Sequence, residues 1–105
     1  MKYIITESQI DNIVFKYLNT QDFYHREDGG GHYFFESERS YKDNQYAKIA
    51  YHYMSEDCFI SSDILTEVSE FFSLSLTRSL MIIAKWVEGK IGIEIKYPSS
   101  DYGAG

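Results

Sequence analysis

A single cysteine, Cys58, leaves no partner for an intramolecular disulfide and excludes an all-cysteine zinc site. It fits a reducing, intracellular setting. Long apolar runs are also missing. The longest, Leu80 to Ala84, has five residues, against the ~20 that a membrane-spanning helix needs, so no membrane partner is expected. Met1-Lys2-Tyr3-Ile4-Ile5-Thr6-Glu7 turns acidic before a signal-peptide core can form, and no secretory address is expected. Basic charge is scarce: 10 Lys and Arg face 16 Asp and Glu, a net charge of −6, and no two basic residues are adjacent. A nucleic-acid binder needs a basic stripe to displace counterions, so nucleic acid is not an expected partner.

What is present is a globular composition. The chain has 105 residues, 44% of them hydrophobic, which suits one domain and is too apolar for a disordered acidic tail. That domain is expected over residues 1–98, with 99–105 as a flexible C-terminal tail. Residues 6–18 read as an amphipathic helix capped by Thr6 with Gln9 completing a capping box, and with Ile10, Ile13, Val14, Tyr17 and Leu18 at helical spacing. Two strands, 21–27 and 32–38, flank Asp28-Gly29-Gly30-Gly31, whose glycines can supply the positive φ of a tight hairpin turn. Arg39 to Asn44 reads as a polar link. Gln45 to Met54 reads as a third strand, with Ala47, Ile49, Tyr51 and Tyr53 on one face.

Ser62 is placed to cap a second helix and Ser75 a third, with Gly89 as the left-handed stop. Met81, Ile82 and Trp86 make the third helix apolar beyond one face. Ile91, Ile93, Ile95 and Tyr97 alternate with polar residues as a last strand that Pro98 ends. The expected class is α+β, in the order α-β-β-β-α-α-β: an antiparallel sheet of about four strands with helices packed on one face.

No catalytic constellation stands out, and an enzyme is not expected. The glycine run lies between two strands and follows Glu27 and Asp28, which is wrong for a phosphate cradle. If Glu27 pairs with His32 across the turn, then His25, Glu27 and His32 share one sheet face. Two imidazoles and a carboxylate are a transition-metal ligand set. A solvated hairpin end with two ordinary surface histidines is the preferred reading, and neither metal nor cofactor is expected. Cys58 and His52 can meet only if the third strand folds back, and Asp57 raises the thiol pKa, so a small buried cysteine is the expectation.

The aromatic share is high, 17% with ten Tyr, seven Phe and one Trp. Phe34 has opposite parity to Tyr33 and Phe35, so one strand carries bulky rings on both faces. A sheet covered on one side exposes some of them, and tyrosine is a favoured residue at binding surfaces. The expected binding surface is Tyr24, Phe34, Tyr46, Tyr51, Tyr53 and Trp86. Burial of Phe34, Tyr46 and Tyr51 together would remove its support.

The opening Met1-Lys2-Tyr3-Ile4-Ile5-Thr6-Glu7-Ser8-Gln9-Ile10 resembles the start of small uncharacterised proteins of tailed bacteriophages and marine viral metagenomes. Phe71-Phe72-Ser73-Leu74, the helix end Trp86-Val87-Glu88 and the closing Lys96-Tyr97-Pro98 resemble them as well. The resemblance touches about a third of the chain and brings no site residues. It implies a phage gene product acting in the cytoplasm of an infected bacterial cell or within a virion. The expected function is therefore a small non-catalytic accessory protein that binds a host or phage protein through its aromatic surface, as an anti-defence or host-modulating factor does. The alternatives are a minor virion component and an oligomeric sequesterer of a small nucleotide-like ligand. The sequesterer requires a pocket joining a Tyr to an Arg or Lys. A homodimer through the third helix or the sheet is the favoured assembly.

Overall fold

The computed structural model describes residues 7–42 and 47–100. The α+β class holds, with a larger sheet and more elements than expected. The chain runs α1 (Glu7–Asn19), β1 (Tyr24–Asp28), β2 (Gly31–Phe35), α2 (Glu38–Lys42), β3 (Ile49–His52), β4 (Asp57–Ile60), α3 (Ser62–Phe72), α4 (Leu76–Ile91) and β5 (Tyr97–Ser99). Five strands form one sheet in the order β1-β2-β3-β4-β5. Neighbours are antiparallel except β4 and β5, which are parallel. Parallel neighbours need a crossover, and the α3–α4 pair supplies it.

Local chemistry accounts for the boundaries. The Ser75 side chain accepts from the Arg78 N–H and opens α4. Ser61, rather than Ser62, holds the N-cap position of α3. The expected stop at Gly89 falls inside α4; Gly92 ends it, with φ 73° and its N–H on the Glu88 carbonyl. The isoleucine alternation after it forms no strand. The Ile95 N–H donates to the Glu88 carboxylate at 2.8 Å, and pairing begins only at Tyr97. Pro98 sits within that edge strand, where a missing N–H is tolerated, instead of ending it. β5 runs through Ser99, one residue beyond the expected strand end at Pro98.

The long third strand divides. After His52 the chain turns through Glu56 (φ 58°), whose N–H bonds the His52 carbonyl, and Asp57 to Ile60 returns as β4. The polar link holds α2. Among the hairpin glycines the positive φ falls on Gly31 alone. The Asp28 carboxylate accepts from the Gly30 N–H at 2.8 Å and tightens the turn. Thr6 lies outside the described residues, and so do 101–105 of the expected tail.

One core joins one sheet face to three helices. Val14 and Leu18 of α1, Ile64, Leu65 and Val68 of α3, and Ile82, Ile83, Trp86 and Val87 of α4 pack with Phe34, Ile49, Tyr51, Cys58 and Ile60. The strand members share parity through the pairs Phe34↔Ile49 and Ile49↔Ile60. No helix among the described residues is long and apolar enough to cross a membrane.

Candidate functional site

Three of the six residues expected on the binding surface are core. Phe34, Tyr51 and Trp86 are 2%, 4% and 6% exposed, because the Phe34 and Tyr51 parity is the one that meets the helices. Ile82 is core as well, which leaves Met81 exposed as the apolar excess of α4. Tyr53 is half-buried and Tyr24 is 37% exposed. Tyr46 lies outside the described residues.

The opposite parity builds a different aromatic surface. Arg26↔Tyr33, Tyr33↔Ala50 and Ala50↔Phe59 form one continuous cross-strand row, flanked by Tyr24↔Phe35 on one side. On the other side lie His52 and the pair Asp57↔Tyr97. Phe35 and Ala50 are buried there, Arg26, Tyr33 and Phe59 are half-buried, and Tyr97 is 60% exposed. The Arg26 guanidinium lies 5.0 Å from the Tyr33 ring centroid and 5.4 Å from that of Phe35, and it bonds Asp28 at 3.2 Å. Tyr33 meets His52 edge-on at 6.0 Å. His52 reaches Asp57 at 3.1 Å, and the Ser55 hydroxyl, then His52, hold the Asp57 carboxyl below its usual range. The result is a cation seated on aromatic faces at the β1 edge, with a charged border at the opposite end.

On the helix side the hairpin register is the one that brings His25, Glu27 and His32 together: Glu27↔His32 and His25↔Phe34 are paired. The three are wired to one another. His25 Nε2 lies 2.9 Å from His32 Nδ1, the Tyr53 hydroxyl 3.0 Å from His32 Nε2, and that hydroxyl donates to Glu27 at 2.7 Å. Bonding to Glu27 pushes the Tyr53 hydroxyl up to about 12, so it stays a donor. Among the described residues no group of His, Cys, Asp or Glu is placed to hold a metal ion.

Cys58 and His52 do not form a pair. Cys58 points into the core, whereas His52 belongs to the opposite parity. Burial, then Asp57, pushes the Cys58 thiol up to about 12, so it is no thiolate nucleophile at neutral pH.

Desolvation, then His32, lowers the His25 pKa below 6.5, with Glu27 opposing. A folded-state value below the unfolded one means that the unfolded chain binds more protons as the pH falls. This contribution to stability is present above pH 6.5 and is lost as the pH drops through the folded value. Between pH 7 and 5.5, the melting temperature of the wild type is expected to fall more steeply than that of His25→Asn. Parallel curves would remove the linkage.

Two clefts lie beside these residues. One, of about 260 Å³, is lined by Leu18, Asn19, Asp22, His25, Trp86 and Lys90 together with Phe23 and Phe34. The other, of about 250 Å³, lies on the far side of Phe23 and is dominated by Glu36, Lys48, Asp63 and Glu67. Lys48 bonds Asp63 at 2.8 Å and so fills the acidic surroundings with its own cation. Neither lining contains the tyrosine expected of a ligand pocket. Sequence reasoning missed Arg26, Tyr33, Phe59 and Tyr97, although the register that joined His25, Glu27 and His32 already put Arg26 and Tyr33 together on the other face.

No protein-family model, no curated protein and no solved structure matches the chain.

Proposed function

We propose that the protein is a non-catalytic binding protein that engages a partner protein through the sheet face turned away from α1, α3 and α4. The observation that carries this reading is the Arg26 guanidinium set over the rings of Tyr33 and Phe35 at the β1 end of a partly exposed aromatic row. Arginine and tyrosine are the residues that most often dominate interface energetics, and here they are preorganised, which lowers the entropy cost of binding. Tyr24 and Tyr97 extend the row at its rim. The resemblance to phage proteins makes the partner a host or phage protein met in an infected bacterial cell, with an anti-defence or host-modulating outcome.

The test is site-specific photocrosslinking in a bacterial cytoplasm, with a benzophenone amino acid at position 33 or 97 and, as control, at 71. Phe71 is 68% exposed on the helix side. A discrete crosslinked species from positions 33 and 97, lost on Arg26→Ala and absent from position 71, is the expected result. A species at twice the 12.3 kDa chain mass identifies the partner as a second copy. Crosslinks from position 71 alone would overturn the reading.

A further inference from the structure

The cleft between the end of α1, the loop into β1, the β1–β2 hairpin and the last turns of α4 has an apolar floor and a polar rim. Leu18, Phe34 and Trp86 are its buried floor, and Asn19, Asp22, His25 and Lys90 its exposed rim. Its walls are flat rings held in place. His25 stacks on Phe34 at 4.5 Å and 4°, and Trp86 packs between Phe34 and Phe23 at 5.5 and 5.7 Å. The Trp86 indole N–H is spent on the Asn19 side-chain oxygen Oδ1 at 2.9 Å, and Lys90 Nζ lies 5.4 Å from the indole centroid. Asp22 holds the rim in a left-handed turn at φ 52°.

The hydrogen-bond chain behind this wall fixes what His25 offers. Glu27, as a carboxylate, only accepts, so the Tyr53 hydroxyl donates its hydrogen bond to Glu27. The Tyr53 oxygen then accepts from His32 Nε2–H, which makes His32 Nδ1 an acceptor. That nitrogen accepts a hydrogen bond from His25 Nε2–H. Neutral His25 is left with a bare Nδ1 acceptor, and no described residue donates to it. Three side chains, Glu27, Tyr53 and His32, thus set the tautomer of the His25 ring at the cleft wall.

We infer that this cleft binds a planar heteroaromatic ring bearing an N–H donor, of the nucleobase class and without phosphate. The volume of about 260 Å³ falls just under the ~300–1,000 Å³ of drug-sized pockets, which suits one ring system rather than a whole nucleotide. The exposed His25 ring, backed by Phe34 at 4.5 Å and 4°, offers a flat surface on which a flat ring can stack. The His25 Nδ1 acceptor calls for an N–H on that ring. Asp22 at the rim and the net charge of −6 oppose a phosphate, against Lys90 as the single cation of the lining. The inference is independent of the sheet-face proposal, since the two sites use opposite faces of the hairpin.

Trp86 is the only tryptophan and forms the cleft floor, so its fluorescence reads occupancy directly. The experiment titrates the protein with adenine, uracil and adenosine 5′-monophosphate. Saturable quenching by adenine or uracil is expected, at least tenfold weaker in His25→Phe, which keeps the flat ring and removes the acceptor. The monophosphate binds no more tightly than adenine. A second readout needs no variant: long-range ¹H–¹⁵N spectra of the free protein show His25 and His32 both as Nε2–H tautomers. No saturable quenching by either base, equal affinity in a folded His25→Phe, a tenfold preference for the monophosphate, or an Nδ1–H tautomer at His25 would each overturn the inference.

Discussion

Replacing Gly31 by alanine is expected to destabilise the protein by about 3 kcal/mol or more, from backbone overlap and strain together. A Cβ at Gly31 would lie 1.8 Å from the Tyr51 carbonyl oxygen and 2.9 Å from its carbon, and the residue holds φ 153°. Those contacts are backbone of the neighbouring strand, so no side-chain rotation relieves them. β2 and β3 would have to separate where Gly31 pairs with His52. For a small domain holding about 5–15 kcal/mol in total, the loss is a large fraction. At Gly29, two positions earlier in the same run, an added methyl would meet nothing within 4 Å, and Gly29→Ala is expected within about 0.5 kcal/mol of wild type. Chemical denaturation of the two variants checks the pair. Equal, small effects would mean that the strands are not in this register.

The second large effect separates two neighbours in sequence. Phe34→Ala is expected to cost about 3–5 kcal/mol, the range for truncating a buried aromatic, because it removes the ring on which His25 stacks and against which Trp86 packs at a tilt. Tyr33→Ala, one residue away on the other face, is expected to cost only about 1 kcal/mol, since its half-buried ring meets Arg26 and His52 at the surface. Tyr33→Ala is expected to lose partner binding with the fold intact, whereas Phe34→Ala loses stability first. Denaturant midpoints and circular dichroism of both variants decide between these outcomes.

The helices and the hairpin were legible because each announces itself more than once. In α4 the apolar stripe agrees with the Ser75 cap, and in the hairpin the polar Asp28-Gly29-Gly30 turn divides two aromatic-rich runs. What was not legible is short or depends on distant partners. α2 has five residues, too few to show a 3.6-residue period. β4 starts on Asp57 behind a turn whose left-handed residue is Glu56 instead of glycine. β5 has three residues, one of them Pro98, and its partner β4 lies across the α3–α4 crossover, far away in sequence.

The binding surface was misread for a single reason. Ring count locates aromatic strands but not their buried parity, and parity is decided by which face the helices cover. Phe34, Tyr51 and Ile49 share that face with Cys58 and Ile60, an apolar set that β4 completes. Without β4 in view, Tyr51 and Phe34 looked as exposable as Tyr33. Trp86 was misplaced by the same incomplete geometry: its ring packs against Phe34 in the core rather than forming a second face of α4.

The division of the sheet into a structural face and a contact face is tested most directly by comparing photocrosslinking yields at positions 33 and 71 in one experiment. A discrete adduct at position 33 that Arg26→Ala abolishes, with none at position 71, is the predicted result. An adduct at position 71 with none at position 33 would place the contact surface on the helices and contradict the account.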